Sequence, residues 1–121
     1  MTKTNFENLK VYQLSEDLAD LIWDVVHTWK AFARYTVGRQ IVRAADSIPA
    51  NIAEGTGRGT VKDKRHFVRI SRGSLYETKN WLRRAYRRKL LTEEQIAEIK
   101  PLVDALAPML NAYLRSISTA S

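Results

Sequence analysis

Apolar residues recur at intervals of three and four along most of the chain, in four runs separated by polar or glycine-rich breaks. Val11, Leu14, Leu18, Leu21, Val25 and Trp29 make the first run, and Val37, Ile41, Ala44, Ile48 and Ile52 the second. In the third, Phe67, Ile70, Ser74, Thr78, Trp81 and Ala85 take the apolar or small positions. The fourth is the most regular, stepping by three and four through Ile96, Ile99, Val103, Leu106, Leu110, Tyr113 and Ile117. At about 100° of rotation per residue each run gathers on one face of an α-helix. No segment alternates with period two over a useful length, which argues against strands. Helices are therefore expected over 9–30, 35–56, 61–89 and 93–117.

The breaks carry helix punctuation. Asn8 stands where an N-cap belongs, and the cluster Gly55, Gly57 and Gly59 ends the second helix. Thr60 with Asp63 is a weaker capping box, whereas Thr92-Glu93-Glu94-Gln95 is a full one. Pro49, Pro101 and Pro108 each remove an intrahelical hydrogen bond, but the apolar phase carries across all three. The second and fourth helices are accordingly expected to continue through them, with kinks. Short connections between helices of this length predict an all-α, antiparallel up-down-up-down four-helix bundle, one domain over residues 1–121.

Two of the helices have more apolar surface than a lone bundle needs. Beside its core stripe the first adds Tyr12, Ala19, Trp23 and Val26, and the fourth adds Leu102, Ala105, Met109 and Ala112. Such second flanks predict a subunit interface and hence a homo-oligomer.

Charge changes the picture most in the third helix. Between Arg58 and Lys89 twelve Lys and Arg face two acids, Asp63 and Glu77, a local charge of +10; the whole chain is +7, so the remainder is −3. Lys62, Arg65, Arg69, Arg72, Lys79 and Arg83 follow a three-four spacing, Tyr76 fills the one gap, and Arg87 extends the row. On the periodicity alone this ridge points about 170° away from the apolar run of the same helix. It spans roughly 30 Å at about 1.5 Å per residue. Nucleic acid is the expected partner, met mainly through phosphates, with Tyr76 and Tyr86 as stacking surfaces among the cations. Phosphate contacts position a protein without reading bases, so neither RNA nor DNA nor any sequence is singled out by this pattern. The plainer alternative is a solvated face, or one neutralised by the acids Asp17, Asp20 and Asp24 of another copy.

In the second helix Ser47, Asn51, Glu54 and Arg58 share a face beside the core stripe. They read as a polar seam at a subunit boundary, or more plainly as a solvated face with a Glu54–Arg58 pair four residues apart. Glu54 has no partner acid or base nearby, so catalysis is not expected of it. The glycines of 55–59 follow no strand and precede no Gly-Lys-Ser/Thr, which leaves a helix stop and a new N-cap as their reading. His27 and His66 are isolated, and there is no cysteine. No metal, no cofactor and no catalytic set is expected, and the protein is taken as a non-enzyme. Without a signal-like start or a long apolar run, a cytoplasmic, non-membrane protein is expected.

The run Ser47-Ile48-Pro49-Ala50-Asn51-Ile52-Ala53-Glu54-Gly55, closely followed by Arg58, resembles the hallmark of the bacterial 23S rRNA intervening-sequence protein family. Phe6-Glu7-Asn8-Leu9-Lys10-Val11-Tyr12, Gln40-Ile41-Val42-Arg43-Ala44-Ala45 and Gly73-Ser74-Leu75-Tyr76-Glu77-Thr78 agree with it, and the resemblance spans residues 6–117. It implies a four-helix bundle without established enzymatic activity, some relatives being encoded inside intervening sequences of ribosomal RNA genes. Related bundles serve as accessory proteins of diversity-generating retroelements, where a basic homopentameric barrel binds the reverse transcriptase and nucleic acid. The resemblance thus implies a cyclic homo-oligomer with five subunits leading, RNA as the favoured nucleic acid, and, as the alternative, a scaffold that binds a reverse transcriptase. One departure stands out: the turn from Thr28 to Tyr35 lacks the proline common in the family.

Overall fold

Helix α1, Lys10–His27, opens a chain that has no strand among the described residues; the structure is a computed structural model and describes residues 6–119. Helix α2 runs without interruption through one turn at Ala31–Ala33, a π-helical stretch at Arg34–Gly38 and an α-helical body at Arg39–Thr56. Helices α3, Val61–Arg87, and α4, Glu93–Thr119, complete the set. Each helix packs on the next in sequence and α4 closes back on α1, which leaves α1 and α3 on the diagonal. With short turns at 28–30, 57–60 and 88–92 joining them, neighbours run antiparallel, so this is the up-down-up-down bundle that the periodicity predicts. The expected limits 1–121 reach beyond the described residues at both ends.

All four helices supply the centre. Leu18 and Ile22 of α1, Ile41, Ile48 and Ile52 of α2, Val68 and Leu75 of α3, and Leu106 and Leu110 of α4 are each no more than 2% exposed. Burying a side chain of this size stabilises the fold by roughly 1.5–3 kcal/mol, so the centre alone outweighs any single surface ion pair. Both threonine caps form. The Thr60 hydroxyl accepts from the Asp63 amide at 3.1 Å, and Thr92 and Gln95 exchange bonds of 2.9 and 3.1 Å. The helices continue through Pro49, Pro101 and Pro108 as expected. Pro101 and Pro108 lie on the exposed side of α4, where solvent is at hand for the carbonyls left without a backbone donor.

Four expectations need correction. Asn8 does not cap α1; it closes a 3-10 turn, Phe6–Asn8, and Leu9 occupies the cap position without a side-chain bond. The entry is held instead by the Gln13 amide, which donates to the Glu7 carbonyl at 2.9 Å. Helix α2 begins at Ala31 and not at 35, because the π-helical stretch absorbs an extra residue without breaking the helix. Thr36 Oγ1 donates to the Phe32 carbonyl within that stretch at 2.6 Å.

The third correction concerns the phase of α3. Its buried residues are Val68, Ser71, Leu75, Thr78 and Ala85, with Leu82 half-buried, whereas Phe67, Ser74 and Trp81 are only half-buried and Ile70 is 38% exposed. The packing face is thus rotated by about 65° from the expected one, at about 100° per residue. Thr78 and Ala85 belong to both stripes, and Ser71 hides the true one from a search for apolar residues. Both hydroxyls are satisfied inside the bundle, Ser71 Oγ donating to the Ile48 carbonyl and Thr78 Oγ1 to the Ser74 carbonyl, each at 2.8 Å.

Finally, the second flank of α1 is narrower than its sequence suggests. Ala19 and Val26 belong to the chain's own core at 5% and 6% exposure, because α1 is wedged between α2 and α4 and needs a wide buried face. Only Tyr12 and Trp23 of that set stay at the surface. On α4, Leu102, Ala105 and Met109 are half-buried and Ala112 is exposed.

Candidate nucleic-acid interface

The rotation of α3 divides the basic ridge in two. Lys62, Arg69, Tyr76, Lys79, Arg83 and Arg87 are exposed, and Tyr76 keeps 56% of its surface in water. Arg65 and Arg72 lie on the flank that meets α4 and are half-buried. Arg65 Nη1 donates to the Leu114 carbonyl at 3.2 Å, and Arg72 Nη1 donates to Asn111 Oδ1 at 3.0 Å. These two guanidinium groups clamp α3 to α4, each with donors to spare among its five N–H groups. The outward face gains residues left off the expected ridge: His66 and Arg84 along its length, and Arg88 and Lys89 at its end. Ser71 and Leu75 would have revealed them, since those two set the phase of the helix.

Among the described residues no carboxylate pairs with Lys62, Arg69, Lys79, Arg83 or Arg87; the ion pairs Glu54–Arg58 and Lys100–Asp104, both 2.6 Å, lie off α3. Lys79 Nζ sits 5.5 Å from the centre of the Tyr76 ring, which places a cation and an aromatic face side by side on the same surface. Across the diagonal, Asp17, Asp20 and Asp24 are exposed on α1. The bundle is therefore basic on one side and acidic on the other. Next to Asp20, partial burial holds the Asp46 carboxyl above its usual pKa, and the Asp20 charge adds to the effect.

The end of α3 is closed by a left-handed residue. Lys89 has φ 60°, the Leu90 amide donates to the Ala85 carbonyl at 2.9 Å, and the Lys89 amide donates to Tyr86 at 3.0 Å. This Schellman closure turns the chain into α4 beside Tyr86. A groove of about 380 Å³ opens there between α3 and α4. Lys79, Arg83 and Tyr86 line its α3 side, Leu82, Ile99 and Val103 contribute apolar surface, and the Lys100–Asp104 pair stands on the α4 side.

The proposed interface residues are not brought together in one place. Tyr12 is half-buried on α1 and donates to Glu16 Oε2 at 3.0 Å, which together with burial raises its pKa, burial being the larger cause. Trp23, 53% exposed, stacks edge-on with His27 at 4.9 Å. Leu102 and Met109 lie on α4 against the core. On α2, Ser47 Oγ donates to the Arg43 carbonyl at 2.8 Å and Asn51 Nδ2 donates to the Ser47 carbonyl at 2.7 Å. Glu54 pairs with Arg58, whose guanidinium also covers the Phe67 ring at 4.6 Å. The polar members of the nine-residue run thus find partners within the chain. Of its remaining members Ile48, Pro49, Ile52 and Gly55 are buried; the Ile48 carbonyl accepts from Ser71 of α3, and a Cβ on Gly55 would come 3.1 Å from Phe67 Cβ. Among the described residues no group of three or more His, Cys, Asp or Glu is placed to hold a metal, and no helix is long and apolar enough to cross a membrane.

Comparison with known proteins fits this geometry. No curated protein matches the chain. A crystal structure of a protein of unknown function from the S23 ribosomal protein family of Bacteroides thetaiotaomicron VPI-5482 superposes with a TM-score of 0.76 at 24% identity. The alignment covers 86% of this chain and 97% of that one, which establishes the shared fold. The sequence profile described as 23S rRNA-intervening sequence protein matches residues 7–112. The chain belongs to the 23S rRNA-intervening sequence protein family.

Proposed function

We propose that this protein is a non-enzymatic nucleic-acid-binding bundle whose outward α3 face meets phosphates. The observation that carries the reading is the row Lys62, Arg69, Lys79, Arg83 and Arg87, exposed and without carboxylate partners among the described residues. Charge of one sign on one face steers a polyanion to that face and supplies affinity by counterion release. Tyr76 adds a flat surface on which a base can stack, and Arg84 and Arg88 widen the basic track. RNA is the favoured nucleic acid because the family is described by its link to intervening sequences of 23S rRNA. Arg65 and Arg72 act chiefly as the α3–α4 clamp and contribute secondarily to phosphate contact.

The test is a double charge reversal, Arg69→Glu with Arg83→Glu, at two exposed positions. Wild-type affinity for mixed-sequence RNA and DNA oligonucleotides is expected to fall with salt, log K dropping by about 0.7–0.9 per phosphate neutralised for each unit of log salt. The variant should bind all sequences more weakly and with a flatter slope. A folded variant that binds as tightly as wild type at low salt rejects the ridge as the contact surface.

A further inference from the structure

Resting on that reading, we propose that the groove at the end of α3 receives one unpaired nucleobase, so that the ridge is a single-strand site and not a duplex site. Three observations converge on it. Lys79 and Arg83 belong both to the phosphate-facing row and to the wall of the groove, so a backbone following the ridge passes directly over its mouth. Inside, half-buried Leu82, Leu91 and Ile96 present apolar surface above the buried Ile99 and Val103, a lining that suits the flat face of a base and not a phosphate. At the rim, Tyr86 is 56% exposed, so its ring is available for stacking. A volume of about 380 Å³ lies within the roughly 300–1,000 Å³ of small-ligand sites.

A paired base cannot make this contact, because its faces are stacked within the helix and only its edges are presented in the grooves. A continuous strand can place phosphates on Arg69, Lys79 and Arg83 while turning one base inward at Tyr86. The groove therefore converts a track that reads only charge into one that distinguishes a flexible strand from a duplex.

Fluorescence anisotropy at low salt tests this with three labelled probes of equal length: a mixed-sequence single strand, the same strand in a duplex, and a strand in which abasic sites replace the bases. Wild type should prefer the base-bearing strand over the abasic one. Tyr86→Ala is expected to weaken binding of that strand by roughly 5- to 100-fold, leaving abasic-strand and duplex binding nearly unchanged, and Tyr86→Phe should restore it. A second variant, Leu82→Trp, fills the groove and should act in the same direction. Equal affinity of wild type for base-bearing and abasic strands overturns the groove proposal alone. Equal weakening of all three probes by Tyr86→Ala also overturns it, since that is a structural or phosphate effect. If no probe binds wild type at low salt, the ridge reading itself fails and the groove proposal fails with it.

Discussion

Ser71 and Ile48 join the two central helices by a bond that neither helix makes alone: the Ser71 hydroxyl donates to the Ile48 carbonyl at 2.8 Å, and both residues are 0% exposed. Ile48 belongs to the nine-residue run by which the family resemblance is carried, and Ser71 lies 23 positions later on the basic helix. The bond therefore fixes the register of α3 against α2, and with it the direction in which the cations point.

Removing that hydroxyl should cost stability without touching the surface. Ser71→Ala is expected to destabilise by about 1 kcal/mol, the usual net worth of an intramolecular hydrogen bond. Ser71→Val should cost more, since it adds bulk at a closed site. Urea denaturation followed by circular dichroism measures both; a Ser71→Val variant as stable as wild type means that the site has room, and that the bond does not set the helix spacing.

The placement of α2 is legible in the sequence because Val37, Ile41, Ala44, Ile48 and Ile52 are all apolar and all buried. The phase of α3 is not, because the buried position Ser71 is a hydroxyl residue whose partner is the Ile48 carbonyl, and carbonyls have no signature in sequence. The division of the ridge is hidden for a similar reason. Arg65 and Arg72 resemble the other cations of the row, and only the arrival of Leu114 and Asn111 from α4, 49 and 39 residues away, draws them aside. The thermodynamics of Thr92 and Gln95, by contrast, are local, and that cap is readable from four consecutive residues.

At Gly38 helix α2 comes close to α1. A Cβ built there would lie 2.7 Å from Val26 Cγ1, and Val26 is itself buried, so little can yield. Gly38→Ala is expected to destabilise by about 1–3 kcal/mol through overpacking, despite the better helix propensity of alanine. A thermal melt showing the variant at or above the wild-type midpoint means that the helices separate more freely than the packing implies.

Lys89 offers the opposite change. Its φ of 60° is left-handed and costs a side-chain-bearing residue about 1–2 kcal/mol, which glycine avoids. Lys89→Gly should raise stability by up to about 1 kcal/mol while removing one cation near the groove. Calorimetry reads the first effect; an unchanged or lowered melting temperature places the balance with glycine's greater freedom in the unfolded chain.

Asp46 predicts a pH dependence of definite sign. Its pKa is raised by burial and then by Asp20, so the folded state holds the proton more tightly than the unfolded state. Its contribution is therefore favourable at acid pH and is lost as pH rises from the ordinary carboxylate range through the raised value. Asp46→Asn should consequently stabilise the protein at pH 7, with the advantage shrinking towards pH 3. Paired denaturation curves across that range check it, and a constant difference at all pH values rules out the Asp46 titration as the cause.

Trp23 tests the oligomer expectation where the fold itself is least at risk. The residue is 53% exposed, so a change there should leave the lone bundle within about 0.5 kcal/mol of its stability. Its indole nonetheless forms an apolar surface with Val26, Tyr35 and Val42 around a shallow cleft between α1 and α2. If a second copy covers this cleft, Trp23→Glu places a charge in the contact and shifts the assembly towards smaller species. Light scattering of the wild type should then return a multiple of 13.9 kDa, with a cyclic pentamer leading, and the variant should return less. A wild type that stays at 13.9 kDa across micromolar concentrations eliminates the oligomer, and with it any subunit-contact role for Tyr12, Trp23, Leu102 and Met109.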